Sequence, residues 1–177
     1  ADAVLMRTSS AVVIYDAFPK AKFHLLVLPT VDILSVSKLT REHLPILRQL
    51  HRVGLHAIAA IRSEESAAEP LGFRMGYHRV PSLSHLHLHV ISVDFDSPCL
   101  KNKKHWNSFQ PPFFADSLEV QAEVEGAGGF AVNVQEAEAQ LKAPLRCHRN
   151  CSAETKTIPQ LKAHIESCTL PVAGKVY

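Results

Sequence analysis

Between Ser84 and Ser92 the chain reads Ser-His-Leu-His-Leu-His-Val-Ile-Ser, three histidines alternating with aliphatic residues. Alternation with a period of two marks a β-strand with one buried face. In such a strand His85, His87 and His89 share one face, and Leu86, Leu88 and Val90 share the other. The aliphatic face needs a core against it, so the strand demands a sheet covered on one side. Three imidazoles would fill that core badly, because each brings two ring nitrogens that need partners. The histidine face therefore points to chemistry, of one of two kinds. His-x-His pairs on strands ligate zinc, and a histidine flanked by helpers serves as a nucleophile.

The surrounding chain has 177 residues, 46% of them hydrophobic and 20% charged. That is the composition of a globular protein able to bury a core without disulfides, as one domain or one domain with a small appendage. No apolar run approaches about 18 residues, so no membrane partner is expected. The opening Ala1 to Met6 lacks the basic lead and apolar stretch of a signal peptide. It also lacks an initiator methionine, as a segment of a longer protein would. Net charge is only +2, so basic surface has to be sought locally. Three of the four cysteines cluster near the C-terminus with a histidine, which favours metal over disulfides and hence a reducing compartment.

Ala11 to Tyr15 and His24 to Leu28 read as an antiparallel hairpin joined by a turn from Asp16 to Lys20. Asp16, at its mouth, suits either a turn cap or a contact to a ligand hydroxyl. Thr40 suits the cap of a helix carrying Leu44, Leu47, His51, Leu55, Ile58 and Ile61 on one stripe, with Pro45 delaying its start. His43, His51 and His56 on that helix read as structural. A polar loop follows over 63–70, then a third strand from Phe73 to Tyr77 that ends at His78. The turn between His78 and His85 is rich in hydroxyls, and Ser82 there suits phosphate holding. After the histidine strand, Lys101, Lys103, Lys104 and His105 cluster, with Trp106 and Phe109 interleaved. A charge run is usually a solvated face, but interleaved aromatics beside a phosphate-handling strand shift the weight toward nucleic acid. Beyond Pro111-Pro112, an acidic helix over 117–125 closed by Gly126, a short strand over 130–134 and a helix over 135–142 are predicted as scaffold.

The last segment carries a second motif. Cys147-x3-Cys151-x12-His164-x3-Cys168 has the ligand spacing of a small zinc finger. Pro159 opens a helix on which His164 and Cys168 share one face. Four soft or borderline ligands suit a closed, structural zinc site, with His148 as a rival ligand. Arg146, Arg149, Lys156 and Lys162 give the finger positive charge consistent with a grip on DNA. Cys99 stands alone and reads as structural.

His85-Leu86-His87-Leu88-His89-Val90-Ile91 resembles the signature of the histidine triad family of nucleotide hydrolases and transferases. Gly76-Tyr77-His78, Pro81-Ser82, Asp94-Phe95-Asp96-Ser97 and the block from Leu100 to Phe109 resemble the branch of that family that removes AMP from abortively adenylated DNA ends. Tyr15 to Ala21 is similar to its nucleotide-binding hairpin, where the acidic residue meets the ribose. The finger departs from that branch by one extra residue between its first two ligands and by a cysteine as the fourth.

The resemblance implies an α+β histidine-triad fold over 1–114, then a helical linker and zinc finger over 115–177. It implies His87 as nucleophile on the α-phosphorus, forming an adenylyl-histidine that water hydrolyses to release AMP. Around it stand His89 as a donor to the non-bridging oxygens, His85 as the orienting residue, and His78 and Ser82 near the phosphates. Asp16, Lys20 and Ser82 are then nucleotide-binding. Lys101, Lys103, Lys104, Trp106 and Arg149 are DNA-binding, and Cys147, Cys151, His164 and Cys168 hold structural zinc. The implied partners are nicked or double-stranded adenylated DNA ends, AMP as product, and repair proteins bound outside this chain, in the nucleus. Guanylylated 3′ ends are a related substrate. The alternatives are a small-nucleotide phosphoramidate or dinucleoside polyphosphate hydrolase, and a non-catalytic DNA-end binding module.

Overall fold

The computed structural model of the protein describes residues 4–65 and 71–177. Ala1 to Ala3 and residues 66–70 of the expected polar loop lie outside them. Six antiparallel strands form the main sheet: β1 (Val4–Arg7), β2 (Ala11–Tyr15), β3 (His24–Pro29), β4 (Phe73–His78), β5 (Leu88–Ser92) and β6 (Phe114–Asp116). Their spatial order is β1-β2-β3-β5-β4-β6. The hairpin is β2–β3, and β1 extends it at the edge, pairing Val4 with Ile14.

Strand alternation divides the sheet into two faces. Leu25 and Val27 on β3, Phe73, Met75 and Tyr77 on β4, and Leu88 and Val90 on β5 all point into one core. Helix α1 (Leu44–Glu64) covers it with Leu47, Leu50, Val53, Ala57, Ile58 and Ile61. A single 3-10 turn over Arg41–His43 precedes α1, closed by reciprocal Thr40 and His43 side-chain bonds. Pro45 then falls in the first helical turn, where its missing N–H costs nothing. At Gly54 the helix lies so close to the sheet that a Cβ would meet Met75 Sδ at 2.7 Å.

The opposite face carries a second core built from Ile91, Phe95, Leu100, Trp106 and Phe109 together with Leu145, Ile158, Leu161 and Ile165. It is shared by α2 (Lys103–Asn107) and the finger, which consists of β7 (Leu145–Arg146), β8 (Glu154–Thr155) and α5 (Ile158–Ser167). Between them run α3 (Ser117–Ala127), packed on α1, and α4 (Val134–Lys142), packed on α2. Helix α3 continues past Gly126 and ends on Gly128, whose φ of 86° suits a glycine cap.

One expectation is corrected here. Residues 130–133 form no strand: the sheet edge is already taken by β6, and Phe130 is buried beneath the Arg79 guanidinium at 4.7 Å. The boundary expected at 114/115 falls inside β6, which pairs with β4 from Gly76 to His78. The C-terminal part of the chain therefore completes the main sheet. Tyr177 also returns to it, exchanging two backbone hydrogen bonds with Phe73. No helix among the described residues is long and apolar enough to cross a membrane.

Candidate active site and metal centre

The strand parity that sends aliphatic residues toward α1 sends His24 of β3, His78 of β4 and His89 of β5 to the other face. There they meet His87, Asp16, Lys20 and Ser82 around a cavity of about 460 Å³. The β3–β5 and β4–β5 registers set Leu26 and Gly76 on either side of His89. Gly76 is required: a Cβ there would strike the Ala115 carbonyl and the Phe114 ring.

The three histidines of the motif do not form one row. Strand β5 begins only at Leu88, and His85 has φ 86°, a left-handed conformation rare for a residue with a side chain. Two bonds enforce it, from His85 N to Leu34 O at 2.9 Å and from Leu86 N to Ile33 O at 2.6 Å. The His85 ring consequently turns toward Asp32 Oδ1 and the Pro29 carbonyl, both at 3.3 Å, and does not line the main cavity. Its backbone does the orienting instead. His87 Nδ1 lies 2.9 Å from the His85 carbonyl oxygen. A carbonyl can only accept, so Nδ1 carries the proton and Nε2 keeps a lone pair. That is the tautomer a nucleophile needs.

Behind His87 lies a buried imidazole cluster. His24 Nε2 is 3.0 Å from His89 Nδ1; the ring centres of His78 and His89 are 4.3 Å apart, and those of His87 and His89 4.8 Å. Burial lowers His24 to about 4 and His78 to about 3, and pushes His89 well below the usual histidine range. All three are neutral near pH 7. Asp16, His24 and His89 bring ligand-type atoms within 4.8 Å of one another, with His24 and His89 joined by a hydrogen bond at 3.0 Å. His24 is the residue that the motif alone does not reveal. Its only signal is strand parity, and parity points at the cavity only once the β3–β5 register is known.

Lys20, with Asp16, sits on the hairpin loop at the cavity, and Ser82 is at its exposed rim. Lys101, Lys103 and Lys104 are solvent-exposed at the start of α2, whose cap is the Asn102 side chain accepting from His105 N at 2.9 Å. Trp106, named above among the DNA-binding residues, lies in the core. It is fully buried, donates Nε1–H to the Arg146 carbonyl at 2.9 Å, and meets Phe95 edge-on. Arg149 donates to the Leu170 carbonyl at 2.8 Å, Arg146 pairs with Glu154, and Lys162 donates to the Ser97 carbonyl at 2.6 Å. Much of the finger's positive charge is therefore spent on internal ties.

Cys147, Cys151, His164 and Cys168 offer one ligand atom each, all within 4.8 Å of one another. Burial pushes the Cys147 thiol up to about 12, while the Ala153 amide draws Cys151 down to about 7. A buried thiol grouped with three further soft donors fits a cation that binds thiolates, and the set suits zinc with no position left open. His148 is not part of it. Its ring is buried edge-on to Phe95 and Trp106, and burial pushes it down to about 3.

Residues 1–105 match the family model described as scavenger mRNA decapping enzyme C-term binding, and residues 110–169 match the C2HE / C2H2 / C2HC zinc-binding finger. The chain is 51% identical over 160 residues to aprataxin of Gallus gallus, covering 90% of this chain and 49% of that protein. It is 48% identical over 162 residues to aprataxin of Danio rerio, covering 91% and 48%. It thus spans about half the length of these relatives. Among solved structures, the aprataxin ortholog Hnt3 in complex with DNA superposes with a TM-score of 0.76 at 23% identity, over 94% of this chain and 86% of that one. At that identity the likeness speaks for the fold alone.

Proposed function

This chain belongs to the histidine triad family as a homologue of aprataxin, and we propose that it is a nuclear DNA-repair hydrolase that removes AMP from 5′-adenylated DNA ends. The observation that carries the reading is the His87 tautomer. With Nδ1–H held by the His85 carbonyl at 2.9 Å, Nε2 is free to attack the α-phosphorus of the adenylate. A P–N bond forms as the P–O bond to the DNA 5′-phosphate breaks, and that phosphate leaves with the DNA. Water then attacks the same phosphorus, breaks the P–N bond and releases AMP, restoring His87 and consuming one water overall. His89 and Ser82 supply donors to the non-bridging oxygens, His78 stands by the departing end, and Asp16 and Lys20 hold the nucleotide.

The DNA side rests on two supports. Lys103 and Lys104 are exposed on α2 and Lys101 just before it, Lys104 and His105 reach the cavity, and a relative of the same fold is known in complex with DNA. Residues 1–114 do the chemistry. Residues 115–177 supply Ala115 and Asp116 of β6 and hold zinc at Cys147, Cys151, His164 and Cys168, where a closed site contributes folding energy only. Partner repair proteins are assigned to regions outside this chain.

The test compares turnover of a nicked, 5′-adenylated duplex with turnover of adenosine phosphoramidate, a dinucleoside polyphosphate and a 3′-guanylylated end. Acid-quenched protein is checked for covalently bound AMP. Preference for adenylated DNA, with AMP trapped on His87, is expected. Preference for the small nucleotides would reassign the site to them, and turnover of none would leave only a DNA-end binder.

A further inference from the structure

The loop between β2 and β3, His24 and His89 are joined by a chain of directional bonds that ends on His89, a residue lining the cavity. The Lys20 backbone N–H donates to His24 Nδ1 at 3.3 Å, so Nδ1 holds a lone pair and no proton. The one proton of His24 is therefore on Nε2, 3.0 Å from His89 Nδ1. His89 Nδ1 must accept it, which places the His89 proton on Nε2. That nitrogen is buried and has no hydrogen-bond partner among the described residues. Asp16 does not overturn this order. Its Oδ2 is 3.6 Å from His24 Nδ1, outside hydrogen-bond range, and its Oδ1 already accepts from Phe18 N at 2.7 Å.

We propose that His24 is a positioning residue that holds His89 as its Nε2–H tautomer, so that a donor and not a lone pair faces the phosphate. The proposal rests on the cavity being the phosphate-handling site described above. The opposite tautomer would set a lone pair against the negative oxygens, and a free imidazole has both tautomers available. Because the first link is the amide of Lys20, the nucleotide-binding loop itself sets the donor. A loop displaced from His24 would release both imidazoles at once. His78, His87 and Phe109 also pack against His89, but among the described residues none of them is hydrogen-bonded to it, so His24 is the neighbour that decides.

The wild-type protein, labelled with ¹⁵N-histidine, gives the direct test through long-range ¹H–¹⁵N correlations. His24 and His89 should both appear as Nε2–H tautomers with unprotonated Nδ1; His89 as Nδ1–H would overturn the proposal before any variant is made. In His24→Gln the side-chain carbonyl can still accept from Lys20 and its amide can still donate to His89, so the Nε2–H form should persist. In His24→Leu it should give way to a mixture, with kcat on adenylated DNA down at least about tenfold and KM little changed. His24→Gln should recover part of that kcat. Equal losses in both variants with an unaltered His89 spectrum would also overturn it. If the wild-type protein shows these tautomers but turns over no adenylated DNA, the positioning stands and the assigned substrate falls.

Discussion

His85 and His87 carry the same ring on either side of Leu86, yet the backbone gives them different work. His85 contributes its carbonyl to His87, while its own ring faces Asp32 and Pro29 at 3.3 Å. A substitution that keeps the backbone should therefore keep the nucleophile's tautomer. His87→Ala should abolish turnover and adenylyl-protein together, whereas His85→Ala should retain activity within about tenfold, a modest loss beside the roughly million-fold known for a deleted nucleophile. Single-turnover rates on adenylated DNA decide it: equal losses in the two variants would mean that the His85 ring, not its carbonyl, does the orienting. The neutral cluster behind them makes a pH prediction. His24 at about 4, His78 at about 3 and His89, held well below the usual histidine range by burial, stay neutral in the folded state, where an unfolded histidine protonates near 6.5. The unfolded chain thus binds more protons as pH falls below about 6.5, and each buried histidine removes up to about 1.4 kcal/mol of stability per pH unit until its folded pKa is reached. Side-chain NMR signals of all three should not titrate between about pH 5 and 7, while the melting temperature falls across that window. Titration of any of them near 6.5 in the folded protein would sink the prediction.

At the scale of elements, α2 separates two roles that its sequence interleaves. One face exposes Lys103 and Lys104, with Lys101 just before the helix; the other buries Trp106 and Asn107. Neutralising Lys101, Lys103 and Lys104 together to Gln should leave the melting temperature nearly unchanged and flatten the log–log salt dependence of duplex binding by about 2 to 3. Trp106→Ala should do the reverse, costing about 3 to 5 kcal/mol of stability with the salt slope preserved in whatever fraction folds. Thermal melts and binding isotherms at several salt concentrations separate the two, and a Trp106 variant of normal stability with weakened DNA binding would return that ring to the interface. The interleaving also explains what was readable in advance. The hairpin, α1, β4 and the finger helix follow from local periodicity and caps, so they could be read from the chain. The late start of β5 could not, because His85 is pulled out of the strand by residues 33–34, some fifty positions earlier in the chain. Strand β1 gives no local signal, being four residues with no punctuation of their own. The cavity's histidines divide the same way: His87 and His89 stand in a motif, while His24 acquires its place only through cross-strand register.

For the molecule as a whole, the finger is part of the scaffold of the histidine-lined cavity. Trp106 hydrogen-bonds the finger's Arg146 carbonyl, Lys162 of α5 bonds the Ser97 carbonyl, and Leu145, Ile158, Leu161 and Ile165 share one core with Phe95 and Phe109. Phe109 is also a wall of the cavity, edge-on to both His24 and His89. Finger, α2 and the imidazole cluster are therefore in continuous contact. A small, polar ligand-bearing segment has little core of its own, so metal binding supplies much of its folding energy. Losing the metal should then do more than weaken DNA contact: it should loosen the packing that holds Phe109 against the histidines. Chelation, or Cys151→Ser, is expected to release one zinc per chain, lower the melting temperature and slow single-turnover hydrolysis even at saturating DNA. Readdition of zinc should reverse the chelated sample but not the variant. Zinc content by mass spectrometry, melting and saturating single-turnover rates check this together. If the zinc-free protein kept its full rate at saturation and lost only affinity, the finger would be a DNA grip with no part in shaping the cavity.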